Sequence, residues 1–272
     1  MTYQLIAFDM DGTLLRSDKT FSGAVLSSIR TATQSGKELA LATGRPVTEL
    51  FPYEKELADF RYAVLESGAL VYDLTARRIL IRHTLDANCI GAVLDAIRRE
   101  DVMPQAMSAG ISYVNAGDLH RMDYYHMGIY ETLYERSATC VPSMEDFIQA
   151  HASEIEKINL YHATPEGRER TFARLSSCQV ERTFAEQTSL EISPPGIHKG
   201  SGLLDLCGLL HLSPEETIAV GDADNDIPML RAAGLGIAMG NAAPNVRAAA
   251  DVLVAGNDED GCAEAIDRYL LG

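Results

Sequence analysis

Leu5-Ile6-Ala7-Phe8-Asp9-Met10-Asp11-Gly12-Thr13 is a short apolar run that stops abruptly at two carboxylates one residue apart. Leu, Ile, Ala and Phe without polar alternation predict a strand buried on both faces, as in a parallel sheet sandwiched between helices. Ligands of such sheets bind beyond the carboxyl ends of the strands, where Asp9 and Asp11 fall. Side chains alternate along extended chain, so the two aspartates are expected on one side with Met10 turned inward. Gly12 then lets the chain turn tightly. An ordinary acidic turn uses the same residue types, so the chemistry rests on what the rest of the chain supplies. One carboxylate of such a pair can bind a hard cation such as Mg²⁺ and attack an electrophile while its neighbour moves a proton. Phosphoryl transfer needs all three actions.

Outward from this stretch, other short apolar runs also end in polar turns. Glu38-Leu39-Ala40-Leu41-Ala42 reads as a second strand and runs straight into Thr43-Gly44-Arg45-Pro46. Pro46 suits the first turn of a helix, and a hydroxyl with backbone N–H groups at a strand-to-helix junction forms a phosphate cradle, although a plain capped helix start reads the same way. Tyr62 to Leu65 is a third strand, and Leu70 to Tyr72 with Ile79 to Ile81 a hairpin. Ser193-Pro194-Pro195-Gly196-Ile197-His198-Lys199-Gly200 delivers one lysine to the start of a leucine-rich helix, a position that resembles an anion site. Ser213 to Glu216 has the capping-box arrangement of a helix start. Thr217 to Val220 is then a strand ending in Gly221-Asp222-Ala223-Asp224-Asn225-Asp226, a second acidic cluster. Counted from Asp222 as a calcium loop, the positions that need Gly and Glu hold Ile227 and Ala233, which excludes that reading. Gly234, Gly236 and Gly240 lack the spacing of a dinucleotide fingerprint.

The chain changes character from about His83 to Thr188, with helical patterns at Ala87 to Arg99, Met144 to His151 and Pro165 to Leu175. Strand-like pieces at Ile111 to Val114, Lys157 to Tyr161 and Gln179 to Phe184 lie between them. We therefore expect an α/β protein with a core over residues 1–82 and 189–272 and a second α/β domain inserted at 83–188. Tyr124, Tyr125 and His126 in the insert are read as core, and His120 and His126 match no metal-ligand spacing. With 272 residues, 46% of them hydrophobic, the chain can bury a substantial core. Its net charge of -16 argues against a nucleic-acid binder and makes an anionic substrate depend on a metal and a few local cations. Five cysteines without a CxxC pair suggest a reducing cytoplasm, and neither a signal-peptide pattern nor a run long enough to span a membrane is expected.

Taken together, Phe8-Asp9-Met10-Asp11-Gly12-Thr13-Leu14, Ala42-Thr43-Gly44-Arg45, Gly196-Ile197-His198-Lys199-Gly200 and Gly221 to Asp226 resemble the haloacid dehalogenase superfamily, specifically its Cof-like sugar phosphatases with a large α/β cap. Likeness continues through Met239-Gly240-Asn241 and Glu259-Asp260-Gly261 and is weak in the insert. The resemblance implies a Rossmann-like parallel-sheet core and a Mg²⁺-dependent phosphatase of small phosphorylated metabolites. It implies Asp9 as the nucleophile that becomes an aspartyl phosphate and Asp11 as general acid and base. Thr43, Gly44, Lys199 and Asn225 would hold the phosphoryl group. Asp9, the backbone carbonyl of Asp11 and Asp222 would coordinate the metal, with Asp226 in support. A phosphomannomutase-like transferase shares this kind of core and cap and is the alternative, and a silent binding protein is disfavoured by the intact motif set. Members often carry Asn-Gly where this chain has Ser67-Gly68, and a smaller polar residue where it has His198.

Overall fold

A computed structural model describes residues 2–185 and 187–272. Strands occur in the order β1 (Leu5–Phe8), β2 (Glu38–Ala42), β3 (Tyr62–Leu65), β4 (Leu70–Asp73), β5 (Arg78–Arg82), β6 (Val102–Ser108) and β7 (Ile111–Asn115). They continue with β8 (Thr139–Val141), β9 (Lys157–His162), β10 (Glu181–Phe184), β11 (Ser189–Ser193), β12 (Thr217–Gly221), β13 (Leu235–Ala238) and β14 (Val252–Leu253). The α-helices relevant here are α1 (Gly23–Gln34), α2 (Ala87–Arg99), α3 (Glu131–Ser137), α4 (Met144–Ala150), α5 (Pro165–Arg174) and α6 (Lys199–Leu210). The chain divides into two compact units.

The first unit comprises the segment ending at Gly44 together with Tyr53–Ile81 and His198–Gly272. Its sheet has the order β14-β13-β12-β1-β2-β3-β4-β5, parallel from β14 through β3 and antiparallel at β3/β4. Every residue of β1 is buried, which is why this strand carries no polar alternation. Leu5, Ala7, Ala40, Val64 and Ala219 pack with Leu203 and Leu206 of α6 and Met229 in one apolar cluster. Helix α1 starts at Ser22, whose Oγ accepts from the Val25 amide, and buries Val25, Ile29 and Ala32. The chain visits β1, β2 and β3 in one direction across the sheet and then β12, β13 and β14 in the other. The strand order therefore reverses between β1 and β12, the place where open α/β sheets bind ligands.

The second unit comprises Arg45–Pro52 and Arg82–Ile197. Its sheet has the order β10-β11-β9-β6-β7-β8 and is antiparallel except at β7/β8. Ile158, Leu160, Leu190 and Ile192 form an apolar core with residues of α2 and α4. The alternate positions of the same strands are polar: the Gln105 carboxamide oxygen accepts from Tyr134 Oη, Tyr161 Oη and Asn159 Nδ2. Gln105 Nε2 donates to Glu49 Oε1 at 2.9 Å and to Ser112 Oγ at 2.8 Å, so this buried amide is well satisfied.

The α/β class and parallel sheet agree with the sequence reading, and the inserted segment begins at Arg82, next to the expected 83, but it runs to Ile197 rather than 188. Residues 189–193, expected in the core, form β11, which pairs antiparallel with β9 and β10 in the second sheet. Arg45–Pro52, expected in the core, belongs to the second unit through the Glu49–Gln105 bond and the Thr48 amide donating to the Gly110 carbonyl. The capping box of Ser213 and Glu216 is present, but it closes a single 3-10 turn rather than opening a helix.

Candidate active site

Strand register brings the acidic motifs together. Phe8 is level with Leu41 of β2 and Val220 of β12, so Asp9, Thr43 and Asp222 leave neighbouring strand ends at the switch point. The Asp9 amide donates to the Val220 carbonyl at 3.0 Å, extending the β1/β12 ladder to the aspartate itself. Asp9 is 5% exposed and Met10 fully buried, whereas Asp11 lies partly open with its Oδ1 accepting from Lys19 Nζ at 2.8 Å. Gly12 has φ of +80°, and a Cβ there would meet Asp222 Oδ2 at 2.4 Å. The first acidic loop thus needs glycine both for its turn and to let Asp222 approach.

Lys199, the first residue of α6, is 1% exposed and donates from Nζ to Asp9 Oδ1 and to Asp226 Oδ1, both at 2.6 Å. Asp226 Oδ2 in turn accepts the amides of Asp222 and Ala223, which fixes the second acidic loop. Thr13 Oγ1 donates to Asp222 Oδ1 at 2.7 Å. Oxygen atoms of Asp9, Asp222 and Asp226 lie within 4.8 Å of one another. Three carboxylates around one ammonium leave an excess of negative charge, and hard oxygen donors suit a divalent cation such as Mg²⁺. Both Asp226 oxygens accept hydrogen bonds, whereas Asp9 and Asp222 each have one oxygen so engaged, which leaves these two with an oxygen to offer a cation.

The charge crowding is visible in the acidities. Burial, and then the Asp226 and Asp222 carboxylates, push Asp9 well above the usual carboxylate range against the pull of Lys199. Burial also pushes Asp222 up to about 6, although the Thr13 hydrogen bond works the other way. For Lys199, burial opposes the charge, but Asp226 and Asp9 more than offset it and hold the ammonium protonated.

The remaining sequence candidates stand at adjacent positions. Thr43 follows β2, its amide donating to the Val64 carbonyl and its carbonyl accepting from the Ser67 amide at 3.1 Å, and Gly44 comes next. Asn225 sits in the turn between Asp222 and Asp226, and its buried Oδ1 has no hydrogen-bond partner among the described residues. Ser67 has φ of +59° between Glu66 and Gly68, which are also left-handed. A Cβ on Gly68 would lie 2.2 Å from the His198 carbonyl oxygen, so the turn after β3 packs directly on the start of α6. His198 itself is a helix cap: its Nδ1 accepts from the Ser201 amide at 3.1 Å. Sequence reasoning assigned no role to Thr13, Lys19 or Asn241, the last of which donates from Nδ2 to the Gly12 carbonyl at 2.8 Å. Thr13 and Asn241 lay inside recognised motifs, whereas nothing in the sequence pointed to Lys19. Tyr125 is buried and Tyr124 half-exposed, both with hydroxyls on Asp101 of the second unit.

Residues 6–266 match the haloacid dehalogenase-like hydrolase family. The chain is 30% identical over 99% of its length to the chloroplastic endoribonuclease YBEY of Arabidopsis thaliana, but spans only 47% of that protein. It is 27% identical to the pyridoxal phosphate phosphatase YbhA of Escherichia coli, with all of both chains covered. The solved structure of a haloacid dehalogenase-like hydrolase from B. subtilis superposes with a TM-score of 0.87 at 26% identity, covering 98% of this chain and 100% of that one. With its motif residues gathered at one switch point, the chain belongs to the haloacid dehalogenase-like hydrolases.

Proposed function

We propose that the enzyme hydrolyses phosphate monoesters of small metabolites, sugar phosphates among them, through an aspartyl phosphate on Asp9 and with Mg²⁺ as cofactor. The observation that carries this reading is the buried Asp9 carboxylate, hydrogen-bonded through Oδ1 to Lys199 and set beside Asp222 at the switch point. Asp9 would attack phosphorus with its second oxygen while Lys199 offsets the charge of the phosphoryl group. Asp11, one residue on and more exposed, would give a proton to the leaving alkoxide and then take one from the water that attacks the acyl phosphate. Thr43, Gly44 and Asn225 would position the phosphoryl oxygens. Mg²⁺ held by Asp9, the Asp11 carbonyl and Asp222, with Asp226 in support, would supply Lewis-acid charge and return Asp9 and Asp222 to their ionised forms.

The second unit, inserted between parts of the first, would act as the cap that selects among leaving groups. Five free cysteines support a reducing cytoplasmic setting. Incubating the enzyme with a panel of sugar monophosphates and other metabolite monophosphates, with Mg²⁺ or with excess chelator, tests the reading. Free phosphate is expected in step with substrate loss, only with the metal present. Positional isomers with little phosphate release would make a mutase the better description.

A further inference from the structure

Asp11 meets a cation that belongs to none of the sequence motifs. Its Oδ1 accepts from Lys19 Nζ at 2.8 Å, eight residues along the chain, and the pair is partly open to solvent, the Lys19 side chain 39% exposed and that of Asp11 30%. The contact depends on how the chain between them is folded. Leu14 and Leu15 are buried, and the Leu15 amide donates to the Met10 carbonyl at 2.8 Å, which keeps the chain beside the motif. A tight turn follows, in which the Lys19 amide donates to the Arg16 carbonyl and the Arg16 amide to the Thr20 carbonyl, both at 2.9 Å.

This turn is fastened from two sides. Ser17 donates from its amide and its Oγ to the Asp258 carboxylate, at 2.9 and 2.6 Å. Asp18 Oδ1 accepts from the amide and the Oγ1 of Thr20, at 3.0 and 2.6 Å. Lys19 itself has φ of +64°, a left-handed backbone that residues with a Cβ rarely adopt and that persists only where the surroundings fix it. Glycine would fit there without strain. The strained position instead carries the one side chain of the turn that reaches Asp11.

We propose that Lys19 is a positioning residue for Asp11, holding one carboxyl oxygen so that the other faces the reacting ester. This rests on the acid and base role proposed above for Asp11. In the first step the proton on Asp11 Oδ2 passes to the bridging ester oxygen as the bond from phosphorus to that oxygen breaks and the bond from phosphorus to Asp9 forms. In the second, Oδ2 takes a proton from the water that attacks the acyl phosphate. An ammonium on Oδ1 suits both steps, because that oxygen accepts a hydrogen bond whether or not Oδ2 carries a proton. Without it the carboxyl turns about its Cβ–Cγ bond, and only a fraction of its orientations permit proton transfer. An ion pair this exposed adds little to stability, so its loss should be read in the rate.

The test compares wild type, Lys19→Met and Lys19→Arg, each with Mg²⁺, on phenyl phosphate and 4-nitrophenyl phosphate. The two esters are similar in shape, but the phenyl leaving group needs a proton more than the nitrophenyl one does. Lys19→Met is expected to lose about tenfold in kcat/KM on phenyl phosphate and less than about threefold on 4-nitrophenyl phosphate, a part of the 10²–10⁴-fold that a general acid supplies. Its KM, its Mg²⁺ requirement and its thermal midpoint should stay near wild type. Lys19→Arg keeps a cation within reach of Asp11 and should recover most of the loss. Equal losses on the two esters, a loss carried by KM, or wild-type rates in Lys19→Met would overturn the assignment. A folded wild type that releases phosphate from neither ester would instead overturn the hydrolytic reading beneath it.

Discussion

Replacing Lys199 with Met retains an unbranched side chain of similar length and deletes only the ammonium. In the wild type that ammonium donates to Asp9 and Asp226 at 2.6 Å each, in a site where neither Lys199 nor Asp226 is more than 1% exposed. Removing one partner of a buried ion pair costs about 3–5 kcal/mol, because the other charge is left unmatched. Here two carboxylates are left, with Asp222 close by, so the upper end of that range is expected. For a chain of this size a loss near 5 kcal/mol lowers the thermal midpoint by roughly 10–20 °C. The deficit should depend on pH. Burial and the two other aspartates already raise Asp9, and losing Lys199 lets it rise further. A carboxyl raised above its unfolded value contributes stability that is fully present below the unfolded pKa and lost as pH rises through the folded one. The variant should therefore approach wild type in acid and fall away toward neutrality, and Mg²⁺ should narrow the neutral gap by standing in for the lost cation. Urea unfolding of both proteins at about pH 5 and about pH 7.5, with and without Mg²⁺, measures this. An equal deficit in all four conditions would mean that Lys199 contributes packing rather than charge, and the electrostatic account of the site would fail.

Four further outcomes follow from named contacts. Asp11→Asn should slow hydrolysis of alkyl phosphates about 10²–10⁴-fold and of activated aryl phosphates less, since their leaving groups need no proton; equal losses on both would remove Asp11 from the acid role. Asp222→Ala should raise the Mg²⁺ needed for half-maximal rate by about tenfold or more with little change in the circular dichroism spectrum, and an unchanged Mg²⁺ titration would exclude Asp222 as a ligand. Gly12→Ala forces a left-handed residue that costs about 1–2 kcal/mol and presses a methyl onto Asp222, so unfolding and Mg²⁺ response should both weaken; wild-type values in both would show that the loop yields. Gln105→Leu removes the acceptor shared by Tyr134, Tyr161 and Asn159, which keep only the bonds among themselves, and the donor to Glu49 and Ser112, and should destabilise the protein by about 1–3 kcal/mol in urea, whereas an unchanged urea midpoint would mean that the network re-pairs without it.

What could be read of the fold was what one face or one strand end dictates by itself. β1, β2, β3 and β12 are continuous apolar runs because both their faces are covered, and that pattern survives in sequence without any knowledge of neighbours. β6 left no such trace. Its Val102-Met103-Pro104-Gln105-Ala106-Met107-Ser108 mixes apolar and polar residues, and a proline argues against a central strand. The register explains the exception: Pro104 is level with Leu160 of β9, while pairing with β7 begins only at Gln105, so the missing amide falls where β6 has a single partner. β11 shows a different limit. Leu190 and Ile192 announce a strand, but strand periodicity carries no information about which sheet it joins, and its ladder partners in β9 lie far upstream in the sequence.

The same distinction governs the site. Asp9, Asp11 and Asp222 were legible because each ends a buried strand, a position that local pattern fixes, and parallel register then gathers such ends without further instruction. Lys199 was legible only as a lysine at a helix start facing a hypothetical anion. Its actual partners are Asp9 and Asp226, 190 and 27 residues away, a triad that no local rule can state. That triad changes the chemistry inferred from the motif, because a lysine free to meet phosphate and a lysine held between two carboxylates differ in what substrate binding must do. A phosphoryl group brings new negative charge to an ammonium that is already matched, so binding must either share Lys199 or draw on a further cation. Asp9 and Asp222, both held above the ordinary carboxylate range, are the groups whose ionisation that cation would restore. The charges of this chain thus give the proposed cation a physical support that stands beside the resemblance.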